Sequence, residues 1–128
     1  MKLQALPYAL TVCKIADIRA VDLNAGFFFL CRTDRELSLV CKTEETPART
    51  TAREDGWRGF RVQGALDFSL IGILSGLTRV LAEKQISVFA VSTYDTDYLL
   101  VKKEHFARAQ AALEAAGYAV EQAEADRA

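Results

Sequence analysis

The chain has 128 residues, 51% of them hydrophobic, which is enough for one compact domain or two very small ones that share a core. Sixteen lysines and arginines against seventeen aspartates and glutamates leave a net charge of −1, without the basic cluster that nucleic acid requires. The apolar N-terminal run is interrupted by Gln4, Pro7 and Lys14 and is too short to span a bilayer, so we expect a soluble cytoplasmic protein.

The first part of the chain predicts three strands. They are the β-branched and aromatic runs YALTVCKI, FFFLCRT and LSLVCK. The intervening ADIRAVDLNA leaves length for barely a turn or two of helix, and PARTTARED, after the third strand, predicts a short second helix. A run from Trp57 to Gly64 could close this part or open the next.

The second part predicts the order βαββαβ. GFRVQG is a short strand, and DFSLIGILSGLTRVLAEKQ carries a broad apolar stripe at helical spacing, with Asp67 or Ser69 as a possible cap. ISVFAVST and DYLLVK predict two strands, EHFARAQAALEAAG a helix that stops at Gly117, and YAVEQ a last strand. This order is the split β-α-β pattern of the ferredoxin-like fold, an α+β class with helices on one face of an antiparallel sheet.

An internal repeat links the two parts. The stretch from Gly26 aligns without a gap to the stretch from Ile86, an offset of 60 residues, and ALTVCKIADIR aligns to GFRVQGALDFS at an offset of 50. Because the offsets differ by ten residues where the second copy has its long helix, we predict two copies of one unit, the first truncated. The predicted boundaries are 1–56 and 57–128, and strand 57–64 could be shared or exchanged between the two copies.

The cysteines and the histidine predict no metal site. Cys13, Cys31 and Cys41 lie inside apolar runs without the close spacing of zinc ligands, so we expect buried, reduced thiols. His105 is the only histidine, which excludes a two-histidine site, and a polar position in a helical first turn is its simplest interpretation. We expect neither a metal nor a cofactor.

Residues 56–118 resemble the ACT domains of small bacterial tandem-ACT proteins and of the CASTOR arginine sensors. LDFSLIGIL, a loop that runs into a helix, and ISVFAVSTYDTDYLLV, a strand, polar hairpin and strand, carry the resemblance. It implies two ferredoxin-like ACT repeats and a non-catalytic regulatory sensor that binds an amino acid at an interface between units. It also implies a homodimer and, because no effector domain is apparent, a possible separate effector protein.

An amino-acid ligand needs amide donors for its carboxylate and an acceptor for its ammonium. The predicted start of the long helix offers amides at the positive end of the helix dipole, and the hairpin offers Asp97. The CASTOR pattern places ligand contacts at the same loop and hairpin. The predicted ligand-binding residues are therefore Ser69, Leu70, Ile71, Gly72, Thr93, Tyr94 and Asp97.

Several of these residues have a simpler structural interpretation. On sequence alone, helix capping is favoured for Asp67 and Ser69, and Asp95 and Thr96 are ordinary turn formers. Asp97 is the strongest candidate, because it lies directly before YLLV, where a turn is already complete and a half-buried carboxylate needs a cationic partner. In the first copy Leu37 stands at the corresponding position, so we expect that copy to have lost its site.

Two other functions are compatible with the sequence. Asp67 and Asp97 could form a catalytic carboxylate pair, but no nucleophile motif, phosphate loop or metal spacing accompanies them, so we expect no enzyme. A ligand-free interaction module that pairs through its sheet edges is the stronger alternative. The row Ser69, Gly72 and Gly76 could support close packing in the predicted homodimer.

Overall fold

A computed structural model describes residues 1–63 and 72–123 as a mixed α+β structure. None of the helices in these ranges is long and apolar enough to cross a membrane. In chain order the elements are β1 (Lys2–Ala5), β2 (Leu10–Lys14), β3 (Phe28–Arg32), β4 (Leu37–Lys42), β5 (Ala52–Val62), α1 (Ile73–Glu83), β6 (Phe89–Ser92), β7 (Asp97–Lys102), α2 (Phe106–Ala115) and β8 (Ala119–Gln122).

The described residues form two compact units. The C-terminal unit contains residues 1–7 and the described residues from 58 onward, and the N-terminal unit contains residues 8–57. The boundary between the units therefore falls inside β5. This strand contains most of the segment 57–64, whose assignment to the first or second copy the sequence analysis left open. Residues 1–7 join the C-terminal unit, a placement that the sequence analysis did not include. The division into repeats at 1–56 and 57–128 stays a prediction.

In the C-terminal unit, β1 lies between β5 and β8. It pairs antiparallel with β5 and parallel with β8, and β7 pairs with β5 and β6. From β5 to β8 the order is β5-α1-β6-β7-α2-β8, which confirms the predicted βαββαβ pattern. The predicted purely antiparallel sheet is wrong at one edge, because the N-terminal strand adds a parallel pairing.

Both helices bury apolar side chains in one core with the sheet of this unit. Alternate strand residues face this core, as the period of two requires, while α1 and α2 contribute side chains at helical spacing. Burying each large side chain contributes about 1.5–3 kcal/mol before the entropic cost is counted. The core consists of Leu3, Ala5, Phe60, Val62, Leu77, Leu81, Ile86, Leu99, Val101, Phe106, Ala109 and Leu113.

A glycine in the left-handed conformation follows α2 and another precedes α1. α2 is followed by Gly117 at a φ of 102°, the left-handed stop that the sequence predicts. α1 begins at Ile73, with Gly72 as its N-cap at a φ of 82°, a conformation that glycine adopts without strain. The predicted caps Asp67 and Ser69 lie outside the described residues.

Gly76 has a packing role inside the C-terminal unit. A Cβ atom at this position would lie 3.1 Å from the hydroxyl oxygen of Tyr118, closer than most real contacts. The absence of a side chain at Gly76 therefore lets α1 approach the segment that leads into β8. This intramolecular contact weakens the argument that Gly76 belongs to a row of small residues at a dimer interface.

The N-terminal unit has a sheet but no α-helix among its residues 8–57. Its strand order is β3-β4-β2-β5, all antiparallel, and its core contains Cys13, Ile15, Leu37, Leu39 and Cys41. A single 3₁₀ turn at Ile18–Ala20 lies between β2 and β3, where the sequence predicts barely a turn or two of helix. The predicted helix in PARTTARED is wrong, because residues 52–54 pair with β2 as part of β5 and this pairing overrides local propensity.

The cysteines divide into two buried thiols and one exposed thiol. Cys13 and Cys41 are each 3% exposed, and burial raises the pKa of both, that of Cys13 to about 11. Both thiols are therefore protonated at neutral pH. The prediction of burial is wrong for Cys31, which is exposed on β3 opposite the half-buried Ser38 of β4.

Candidate functional site

The hairpin β6–β7 carries the predicted acidic site. Its strands pair antiparallel from Phe89 opposite Leu100 to Ser92 opposite Asp97. The turn is closed by Thr93, whose amide donates to the carbonyl oxygen of Thr96 at 2.8 Å and whose hydroxyl donates to the same oxygen at 3.0 Å. Asp97 is therefore held at the first position of β7, immediately after a tightly bonded turn.

Asp97 is half-buried, and its Oδ1 atom accepts a hydrogen bond from the hydroxyl of Ser92 at 2.6 Å. Within residues 1–63 and 72–123 no lysine, arginine or histidine forms an ion pair with it. A carboxylate has room for further donors beyond this one. Asp97 can therefore accept a hydrogen bond from a ligand cation while it keeps its bond to Ser92.

Thr93 and Tyr94 are both exposed at the turn. Because the hydroxyl proton of Thr93 serves the Thr96 carbonyl, this side chain can offer a ligand only acceptor capacity. Tyr94 is 80% exposed and lies in the turn that precedes Asp97. The structure thus brings three of the predicted residues, Thr93, Tyr94 and Asp97, together on one hairpin.

The helix side of the predicted site is described only at Gly72. Ser69, Leu70 and Ile71 lie outside the described residues. Gly72 precedes α1, and its carbonyl accepts the first helical hydrogen bond, from the amide of Gly76 at 2.8 Å. α1 begins at Ile73, so Gly72 is the residue directly before its first turn.

Gly72 itself is open to a ligand. It is exposed, and a Cβ atom built at this position meets no other atom within 4 Å. No hydrogen bond in the described ranges connects Gly72 to the hairpin. The joint participation of loop and hairpin in one site therefore stays a prediction.

Thr96 is the functional candidate that sequence reasoning missed. Its side chain is buried, at 7% exposure, and its hydroxyl donates to the carbonyl oxygen of Val62, the last residue of β5, at 2.9 Å. The sequence favoured an ordinary turn role, because threonine next to aspartate is common in solvated turns. The sequence offered one signal that this position differs from an ordinary turn position. The aligned position in the first copy is Glu36.

The hairpin β3–β4 in the N-terminal unit has the same geometry at the predicted offset of 60 residues. Arg32 pairs with Leu37 as Ser92 pairs with Asp97, and the amide of Thr33 donates to the carbonyl oxygen of Glu36 at 2.9 Å. The aligned hairpins thus share register and turn bonding. Leu37 is 5% exposed and belongs to the core of its unit, so this hairpin presents no carboxylate at that position.

The described residues contain no group of three or more His, Cys, Asp or Glu side chains arranged to hold a metal ion. Cys13, whose pKa is raised to about 11, and Cys41 lie in the core of the N-terminal unit. The hairpin β6–β7 with Asp97 lies in the C-terminal unit. Among the described residues of the C-terminal unit, the carboxylate of Asp97 is therefore the candidate acceptor for a ligand cation.

The chain was compared with protein families, solved structures and curated proteins. A family model for the ACT domain matches residues 52–115, half of the chain. A crystal structure of a protein from Agobacterium tumefaciens is 28% identical, with a TM-score of 0.84 over 99% of this chain and 96% of that one. A search of curated proteins gave no significant match.

More distant structures share the fold alone. A Vibrio cholerae protein of unknown function, described as a possible transport protein, is 18% identical with a TM-score of 0.69 over 87% of this chain and 85% of that one. The aspartate kinase of Clostridium acetobutylicum, described as an allosteric enzyme, is 12% identical with a TM-score of 0.62 over 89% of this chain and 33% of the kinase chain.

Proposed function

Because the chain belongs to the ACT domain family, whose members are regulatory units that generally bind amino acids, we propose that it is a non-catalytic amino-acid sensor domain. The ligand lies between residues 67–72 and the hairpin 92–97, at an interface between ACT units. Asp97 receives its ammonium group, and backbone amides near the start of α1 receive its carboxylate. The closer similarity to CASTOR sensors stays a prediction.

The observation that carries this proposal is the environment of Asp97. Asp97 is a half-buried residue whose carboxylate accepts a hydrogen bond from the Ser92 hydroxyl at 2.6 Å and forms no ion pair in the part of the chain that the structure describes. A charge-assisted hydrogen bond from an ammonium group is roughly twice as strong as a neutral one. An amino-acid ligand therefore supplies a cation that the described residues do not provide.

A thermal-shift screen of the standard amino acids tests the proposal. A ligand at about one hundred times its Kd stabilises the folded state by roughly 2.7 kcal/mol, which raises the Tm of a chain of this size by several degrees. We expect one amino acid, or a chemically related group, to produce this shift. The same compounds without an α-ammonium group serve as matched controls and are expected to leave the Tm unchanged.

A flat screen would favour the alternative, a ligand-free module that pairs with another chain through its sheet edges. Among the described strands, β6 pairs only with β7, and β3 pairs only with β4, so each has an edge available for such pairing. This alternative lacks a role for the carboxylate of Asp97. We therefore rank it second.

We expect the sensor to be a homodimer, because ACT domains often associate and the ligand site of the family lies between units. The signal then passes through self-association or to a separate effector protein. Light scattering at micromolar concentration, with and without the amino acid found in the screen, measures the oligomeric state. A strict monomer under both conditions would contradict this part of the proposal.

A further inference from the structure

The two aligned hairpins differ at adjacent positions that decide what each hairpin presents. In the N-terminal unit these positions are Glu36 and Leu37, and in the C-terminal unit they are Thr96 and Asp97. Glu36 is exposed and bonds to the hydroxyl of Ser38 on its own hairpin, whereas Thr96 is 7% exposed. The hairpin that carries a carboxylate at the second of these positions is thus the one with a buried hydroxyl at the first.

The hydroxyl of Thr96 connects the hairpin to another strand. It donates to the carbonyl oxygen of Val62 at 2.9 Å, and the carbonyl of Thr96 accepts from the amide of Thr93 at 2.8 Å. Val62 ends β5, two residues before the segment 64–71, which contains most of the predicted loop side of the site. These two hydrogen bonds of Thr96 therefore connect the end of β5 to the turn directly before Asp97.

We propose that Thr96 is a positioning residue that fixes the Asp97 hairpin to the end of β5, and that ligand affinity depends on this bond. The inference rests on the proposed function and adds to it a residue that does not itself contact the ligand. Loss of the hydroxyl leaves the Val62 carbonyl without this donor, in a place that water reaches poorly. The hairpin then opens more often, and a ligand must restore its geometry on binding.

Hydrogen exchange of the full chain tests the anchoring without any ligand. Thr96→Val keeps the shape and removes the hydroxyl, whereas Thr96→Ser keeps the hydroxyl. We expect Thr96→Val to accelerate exchange of the Thr93 amide by about five- to a hundredfold, and Thr96→Ser to change it by less than about threefold. The Thr33 amide, which makes the same turn bond in the N-terminal unit, is the internal control and keeps its rate. An unchanged Thr93 rate in Thr96→Val would overturn the proposal.

Affinity then tests the functional part, with the amino acid that most raises the Tm of the wild-type chain as the probe. We expect Thr96→Val to weaken binding by about tenfold and Thr96→Ser to bind within about threefold of wild type. Equal affinity in all three proteins, or equal loss in both variants, would overturn the role of Thr96 and leave the proposed function standing. If no amino acid stabilises the wild type, the proposed function fails first, and the positioning role fails with it.

Discussion

Phe60→Ala is expected to lower the free energy of unfolding by about 3–5 kcal/mol, the usual cost of truncating a large aromatic side chain in a core. Phe60 is 1% exposed, and its ring stacks on that of Phe106 with centroids 4.5 Å apart and planes 9° from parallel. The guanidinium of Arg58 covers the Phe106 ring at 4.2 Å. Alanine would leave a cavity between β5 and α2 and would remove one partner of this stack.

Urea denaturation of wild type and Phe60→Ala measures the effect as a difference in unfolding free energy. Leu23→Ala is the control, because Leu23 is 65% exposed and its truncation is expected to change stability by less than about 0.5 kcal/mol. A loss below about 1.5 kcal/mol for Phe60→Ala would show that the second half of β5 does not belong to this core.

Asp97→Asn is expected to weaken amino-acid binding by roughly ten- to a hundredfold, the equivalent of about 1.5–3 kcal/mol for a lost hydrogen bond to a charged group. In the wild type the Ser92 hydroxyl donates to Oδ1 of Asp97 at 2.6 Å. Asparagine keeps the shape of the side chain and an oxygen that can accept this hydrogen bond. Only the negative charge is lost, so the ammonium of the ligand meets a neutral acceptor. Competition with the best amino acid of the thermal-shift screen measures the change in affinity.

Asp95→Asn is the matched control for this substitution. Asp95 is exposed at the turn two residues before Asp97, so the same change of charge at nearly the same place is expected to leave affinity within about twofold. The Tm of ligand-free Asp97→Asn should also stay close to that of wild type, because no described cation pairs with this carboxylate. A large fall in that Tm would indicate that Asp97 stabilises the fold instead.

Periodic patterns in the sequence predicted the elements that depend on local chemistry. The stripe of apolar residues predicts α1 through Leu77 and Leu81, and Gly117 predicts the stop after α2. The alignment at an offset of 60 residues predicts the common register of the two hairpins. In each case the signal lies within one element or one pair of neighbouring strands.

Features that depend on distant contacts were missed. The alternation in β1 is the same whichever sheet it joins, so nothing local indicates that Leu3 pairs with Val62 and Val120. The helix predicted in PARTTARED was wrong because the pairing of Arg53 with Cys13 extends β5. Local sequence could not predict the burial of Thr96 either, because its partner is the carbonyl of a residue 34 positions away.

The candidate site was predictable in part for the same reason. Asp97 could be singled out because its position before an apolar strand is visible in the sequence, and the structure adds its bond to Ser92. The loop contribution from Ser69 to Ile71 rests on the resemblance to other ACT domains and lies outside the described residues. The helix begins at Ile73 because Gly72 adopts a left-handed conformation, which the composition of the loop alone does not specify.

Calorimetric titration of wild type and Asp97→Asn with the stabilising amino acid is the most direct test of the central claim. We predict one binding site per chain, because Leu37 replaces the carboxylate in the first hairpin, and a Kd that rises roughly ten- to a hundredfold in Asp97→Asn. Equal dissociation constants for the two proteins, or two equivalent sites per chain, would contradict the assignment of Asp97 as the receptor of the ligand's ammonium group.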